Sequence, residues 1–244
     1  MSRPGELLER ASCAAQVFVG SLDAPGIEAD DHHHLQRVLR LRNGEDLCLV
    51  DPTGAWQRFT LVDAKAMAIE VAGERHSAPE PATTLTLALA LPKGERGELA
   101  VAKATELGID RIALIETERS VVRLGADRAP KAIARLERIA RASSAQSRRL
   151  RLPEIVGPMP LKDLVAFGPV ALAQMEGGAP AGPVACVAVG PEGGFSEADG
   201  GLALELGLGS TVLRSETAAI VASAWLTGAV RHDDPAARHG GTDG

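Results

Sequence analysis

The chain has 244 residues, room for one large domain or for a small and a medium one. Hydrophobic residues make up 45% and aromatics only 2%, with no Tyr, so the core is built from Ala, Val, Leu and Ile. Binding of nucleic acid by stacking bases on aromatic platforms is correspondingly limited. The formal charge of -6 excludes a general polyanion binder unless the basic residues are clustered. Cys13, Cys48 and Cys186 are far apart and form no CxxC pair, and the last two lie in apolar runs. Buried thiols in a reducing compartment are expected, with neither a disulfide framework nor a zinc site. The amino terminus lacks an apolar signal region, and no apolar run reaches the ~20 residues of a membrane helix. The expectation is a soluble, cytoplasmic protein with no membrane association.

Short strand-like runs come first: QVFVG, DLCLVD, AWQRFTLVD and MAIEVAG, between Gln16 and about Ala72. Asp51-Pro-Thr-Gly54 and Arg42-Asn-Gly-Glu45 mark turns, and one helical segment, Asp31 to Arg40, interrupts the strands. Residues 1–75 therefore read as a small β-barrel or curled sheet, and HSAPEPAT, the 76–83 stretch, as a linker. From 84 to 231 the pattern alternates. TLTLALAL (84–91), RIALIE (111–116), PVALA (169–173) and VACVAVG (184–190) read as buried strands. Helices are predicted over Glu95 to Leu107, closed by Gly108, then Arg128 to Arg149, Ser196 to Leu206 and Glu216 to Arg231. Buried strands alternating with helices predict an α/β domain, a parallel sheet with helices on both faces. The polar, Gly-rich 232–244 stretch reads as a disordered tail.

Two segments in the second half carry chemistry. GPEGGFSEAD follows an apolar strand and leads towards a helix, so it belongs at the carboxyl edge of the sheet, where open α/β folds bind ligands. Gly190, Gly193 and Gly194 allow close backbone approach, and Ser196 with Asp199 makes a capping-box pattern. The loop lacks the Lys-Ser/Thr ending of a phosphate cradle, and Glu192 would repel phosphate, so an uncharged or cationic ligand suits it better. In Leu208 to Ala218 an apolar stretch gives way at once to Arg214, Ser215, Glu216 and Thr217. Ser215 or Thr217 could cap the helix that starts there, and Arg214 and Glu216 could neutralise each other or serve a site.

The pair GPEGGFS and LxLGxxxLRxETA, in this order, resembles the RsmE family of SPOUT methyltransferases, which methylate N3 of a uridine in 16S ribosomal RNA. HHLQRVLRLRNGE (33–45), LPKGERGELAVAKATELGIDRI (91–112), ERSVVRL (118–124) and AQSRR (145–149) are similar to further segments of that family, so the resemblance spans most of the chain. It implies a PUA-like, RNA-binding amino-terminal barrel and a carboxyl-terminal domain tied in a deep trefoil knot. Periodicity cannot give the knot, and knotted chains are rare. It implies a homodimer acting on 16S rRNA in the 30S subunit, with a role in rRNA processing and ribosome biogenesis. The implied cofactor is S-adenosyl-L-methionine, held by Val189, Gly190, Pro191, Glu192, Gly193, Gly194, Leu208, Gly209, Val212, Leu213, Ser215, Thr217 and Ala218. The sequence departs from the family pattern at Ala145, usually Glu, and at Ser210-Thr211, usually Pro-Arg.

Despite the acidic total, basic residues cluster. Arg128, Lys131, Arg135 and Arg138 fall on one face of the long helix, opposite an apolar face, and Arg148, Arg149 and Arg151 follow. Arg37, Arg40 and Arg42 form a second cluster. Together with the resemblance, these point to RNA contacts at His33, Arg37, Arg40, Lys93, Arg119, Arg123, Arg128, Arg135, Arg148 and Arg149. Adjacent helical residues point about 100° apart, so His32, His33 and His34 cannot share one metal ion, and no metal is expected. For catalysis, Arg214 is the candidate to stabilise a developing uridinate charge. Glu216 would position the cofactor or take the proton. A 2′-O-ribose RNA methyltransferase and a non-catalytic RNA-binding ribosome-assembly factor are the alternatives.

Overall fold

A computed structural model of the chain describes residues 4–197, 199 and 204–232. It forms two compact units, Met1–Glu80 with Arg141–Leu152, and Pro81–Ala140 with Pro153–Gly244. Residues 141–152, read from the sequence as part of the 84–231 domain, thus pack with the amino-terminal unit. Apart from His232, the expected tail lies outside the described residues.

The first unit begins with helix α1 (Pro4–Ser12), which the sequence reading did not anticipate. Strands β1 (Ala15–Phe18), β2 (Asp46–Val50), β3 (Ala55–Asp63) and β4 (Ala68–Ser77) form one sheet in that order. The first pair is parallel and the others antiparallel, with register shifts between Gln57 and Phe59 and between Leu61 and Asp63. Because β4 runs to Ser77, the linker is shorter than 76–83. Both faces of β2 are buried. Leu47 and Leu49 pack with Val17, Leu35 and Phe59, and Cys48 and Val50 pack with Phe18, Trp56 and Leu150. The Asp51 to Gly54 turn closes as the residues dictate: the Asp51 carboxylate accepts the Thr53 N–H at 2.8 Å and its hydroxyl at 2.6 Å. The segment expected as one helix over 31–40 is instead the short α2 (Ala29–His33) followed by a π-helical turn, His34–Val38, anchored by buried Leu35.

In the second unit, strands β5 (Thr86–Ala90), β6 (Arg111–Glu116), β7 (Glu154–Pro160), β8 (Val170–Gln174), β9 (Cys186–Val189) and β10 (Leu204–Gly207) form a wholly parallel sheet. The order is β10-β8-β9-β5-β6-β7. Helix α3 (Arg96–Leu107) connects β5 to β6, α4 (Ala129–Gln146) connects β6 to β7, and α5 (Ser215–His232) follows β10. Gly108 ends α3 at φ 97°, the left-handed conformation that glycine takes without steric cost.

Two expectations fail here. Among the described residues the long helices do not cover both faces of the sheet. Ala100, Val101, Ala104, Leu136, Ala219, Ala222 and Leu226, from all three helices, join a single core with Leu87, Leu89 and Leu114. The opposite face, with Ala88, Ala113 and Leu172, is covered by the 3-10 turn Leu161–Phe167 and by Phe195. The predicted helix Ser196 to Leu206 does not run to its expected end, since Leu204–Gly207 is β10, paired with β8; its residues 198 and 200–203 lie outside the described residues. The Ser196–Asp199 cap does form, with the Asp199 carboxylate accepting the Ser196 N–H at 2.8 Å.

Strand β10 passes very close to the loop after β8. A methyl on Gly207 would overlap the Gly177 carbonyl oxygen, so bare backbone is required there. Cys13, Cys48 and Cys186 are all buried and free, and burial pushes the Cys48 and Cys186 thiols up to about 12. No described helix is long and apolar enough to cross a membrane.

Candidate active site

The sheet ends its strands together, and the loops leaving β8, β9 and β10 converge beyond their carboxyl ends. Together with the start of α5 they enclose a pocket of about 380 Å³. Its size and its place at a parallel sheet's carboxyl edge are those of a small-ligand site.

The loop after β9 is shaped by its own residues. Gly194 takes φ 67° and donates its N–H to the Pro191 carbonyl at 2.8 Å, which closes a turn. Phe195 folds back on the loop's beginning, and a methyl on Gly190 would lie 3.2 Å from its ring. The Glu192 carboxylate pairs with Arg96 of α3 at 3.2 Å. From the turn after β6, Arg119 Nη1 donates to the carbonyls of Gly193 at 2.8 Å and Phe195 at 3.2 Å. Among the described residues the wall carries two charged side chains, Arg119 and Glu192; the rest is glycine, apolar or neutral polar. Such a wall suits a mostly apolar ligand bearing balanced charges and offers no cluster of cations for a polyphosphate.

Of the residues singled out for the cofactor, Val189, Gly190, Pro191, Glu192, Gly193, Gly194, Leu208, Gly209, Val212, Leu213, Ser215 and Ala218 lie on this wall. Exposed Thr217 does not. The wall also includes Gln174, Met175, Phe195, Thr211 and Arg119, of which the first four were not singled out and the last was assigned to RNA. Only spatial proximity joins Arg119 to this loop, across 74 residues of sequence.

The two candidate catalytic residues do not line the pocket, although their neighbours Leu213 and Ser215 do. Arg214 is exposed, while Glu216 is 8% exposed and its Oε2 is buried with no hydrogen-bond partner. They make no ion pair with each other, so the mutual neutralisation left open by the sequence is not what the structure forms.

The basic residues divide into two groups. Exposed His33, Arg37 and Arg40 surround the π-helical turn, with Arg40 at φ 55°, and Lys93 is exposed before α3. Arg135 is exposed but paired with Glu98 at 2.6 Å. Arg123 donates to the Thr117 and Glu118 carbonyls, each at 3.1 Å, and Arg128 to the Arg123 carbonyl at 3.3 Å. Arg148, at φ 60°, donates to the Cys13 carbonyl at 2.7 Å, and the Arg149 carbonyl accepts the Gln16 side-chain amide. The structure therefore directs several of the arginines expected at RNA to the protein's own carbonyls.

A parallel α/β sheet with a glycine-lined pocket beyond its carboxyl edge defines a ligand-binding α/β domain, here preceded by a small mixed β-sheet unit. Residues 79–227 match the family model of an RNA methyltransferase domain, and residues 27–71 that of an RNA methyltransferase PUA domain. The chain is 33% identical over 219 residues to the ribosomal RNA small subunit methyltransferase E of Mycobacterium bovis, covering 80% of this chain and 83% of that protein. It is 32% identical to the Synechocystis protein of the same name, covering 80% of this chain and 69% of the relative. A Legionella pneumophila structure, solved in complex with the bound cofactor SAM, superposes with a TM-score of 0.74 at 27% identity, covering 88% of this chain and 97% of that one. The chain belongs to the ribosomal RNA small subunit methyltransferase E family.

Proposed function

We propose that the chain transfers a methyl group from S-adenosyl-L-methionine to N3 of a uridine in small-subunit 16S ribosomal RNA. The observation that carries this reading is the single pocket that GPEGGF and the LGSTVLRSETA segment build together in a chain of this family. The wall fits the cofactor: four glycines, Gly190, Gly193, Gly194 and Gly209, admit the ligand against backbone. Val189, Leu208 and Leu213 offer apolar surface for an adenosine, and the backbone N–H and carbonyl groups of the glycine loop offer hydrogen-bond partners for an amino-acid moiety. When bound, the cofactor supplies an electrophilic methyl on a sulfonium sulfur, so the protein's task is chiefly to orient the reactants.

N3 of a neutral uridine carries a proton and attacks poorly until that proton is lost, here to solvent water, as the bond to the methyl forms and the methyl's bond to sulfur breaks. Arg214, exposed between two wall residues, offers its guanidinium to the negative charge that then develops on the uracil oxygens. Of the two roles open to Glu216, burial away from the wall favours positioning over proton transfer. Its carboxylate lies in the first turn of α5, where helix N–H groups favour negative charge, and the same turn carries Ser215 and Ala218 to the pocket wall.

The same reading takes the amino-terminal sheet as a PUA-like barrel that holds RNA through His33, Arg37 and Arg40. It takes the close passage of β10 against the β8 loop as part of a trefoil knot. It further takes the working form as a cytoplasmic homodimer acting on the 30S subunit. The test is methylation of purified 30S subunits and of naked 16S RNA, with the product nucleoside identified by mass analysis. N3-methyluridine is the expected product; a ribose methyl, or no transfer and no cofactor binding, would overturn the reading. Arg214→Ala is expected to abolish transfer while cofactor affinity, measured by calorimetry, is retained.

A further inference from the structure

The geometry points to Arg119 as a positioning residue of the cofactor pocket, a brace that fixes the carbonyls of the GPEGGF loop rather than a contact to RNA phosphate. The inference rests on the cofactor reading of that pocket given above. It begins with the turn from which the side chain springs. The Thr117 N–H donates to Ser120 Oγ at 2.8 Å, and Glu116 Oε1 accepts the Leu124 N–H at 2.8 Å, so both ends of the 116–124 segment are tied. Arg123 closes the inside of the turn through its bonds to the Thr117 and Glu118 carbonyls. The turn is therefore a rigid base, and buried Thr117 anchors it to the end of β6.

From this base Arg119 reaches the opposite loop. Its Cβ and Cδ would each lie 3.6 Å from a methyl on Gly193, so the stem packs along the loop while Nη1 bonds two carbonyls on either side of Gly194. Those carbonyls flank the positive-φ residue that sets the loop's curvature, and the same loop forms one wall of the pocket. On the other side, Arg96 grips Glu192. Without the Arg119 brace the two carbonyls would turn to water, and the glycines would be free to sample other conformations. The loss should then appear as weaker cofactor binding, because ordering the loop would have to accompany binding.

A phosphate contact and a brace respond differently to lysine. Arg119→Lys keeps the positive charge, which suffices for a phosphate. The lysine ammonium is a compact, strongly hydrated group on a shorter stem and does not reproduce the guanidinium's reach to two carbonyls. Calorimetry with S-adenosyl-L-methionine and filter binding of a 16S RNA fragment over a salt series, on wild type, Arg119→Lys and Arg119→Met, separate the two. Both variants are expected to bind cofactor about tenfold more weakly, with KM for the cofactor rising more than kcat falls. RNA affinity without cofactor and its salt slope should match wild type. Cofactor affinity at the wild-type level in either variant would overturn the inference. So would RNA binding that weakens in Arg119→Met and recovers in Arg119→Lys. If wild type itself binds no cofactor, the pocket reading fails together with the inference, an outcome distinct from loss in the variants alone. Thermal melts showing an intact cooperative transition tie the affinity change to the loop and not to global unfolding.

Discussion

In the turn after β6, Arg119 and Arg123 aim their guanidinium groups at four carbonyl oxygens of the protein itself. A few residues later, on α4, Lys131 and Arg138 lie exposed, and the longer of the two makes only a 3.4 Å contact to a carbonyl one helical turn back. The difference follows from the backbone beneath them. Helix carbonyls are already bonded to N–H groups four residues on, so Lys131 and Arg138 find little to satisfy on their own helix and remain available to solvent or phosphate. In a turn, most carbonyls lack such partners (that of Thr117, which accepts the Ser120 N–H at 3.2 Å, is an exception), and an arginine within reach becomes an internal donor. The stretch after α4 obeys the same rule: Arg148 serves the Cys13 carbonyl and Arg151 the Ala78 carbonyl at 3.1 Å. A cluster of arginines thus signals an RNA surface only where the backbone does not need them.

The contrast can be broken most easily at Arg148. Arg148→Ala should leave the Cys13 carbonyl unpaired and lower unfolding stability by about 1–3 kcal/mol, read by denaturant titration. The salt dependence of RNA affinity should not change. If stability is untouched and the RNA slope falls, Arg148 belongs with the outward group. The reverse is expected of α4. In a Lys131→Ala, Arg138→Ala double variant stability should stay within about 0.5 kcal/mol. The slope of log affinity against log salt should fall by roughly 1.4–1.8, the value of two phosphate contacts. A smaller effect sharpens the picture at Arg135, which is 58% exposed yet paired with Glu98. Glu98→Gln releases that guanidinium at a cost in stability below about 1 kcal/mol. RNA affinity should rise a few-fold at low salt and return to the wild-type value at high salt, as screening predicts. No rise at low salt would remove Arg135 from the RNA-facing group.

Much of the second unit was legible because its strands are buried on both faces. TLTLALAL and RIALIE admit no other reading, and Gly108 punctuates α3 at the residue expected. Strand β7 escaped because EIVGPMP carries a Gly-Pro step and a second proline, which argue against a strand unless it lies at an edge, where the sheet order places it. Strand β10 escaped because LELG is four residues long, and Ser196 with Asp199 announces a helix start just before it. Nothing in its local pattern says that it pairs with β8. The pocket glycines were legible from spacing and resemblance. Arg119 was not, since its partners are carbonyls, which leave no mark in sequence. The burial of Glu216 was equally hidden, because an acidic residue in a first helical turn reads as exposed until the packing around it is known.

The crossing of Gly207 over Gly177 has a consequence for variation. At most positions of a strand, drift among neighbouring amino acids costs little, and a population of sequences spreads out over time. At Gly207 even the smallest side chain collides with a main-chain oxygen, which cannot rotate away as a side-chain atom would. In a saturation library scored for folding, this position should be nearly empty of every variant but the parent. Repair would have to come from moving the β8 loop as a whole, so the two glycines are free to change only together with the path of the chain between them.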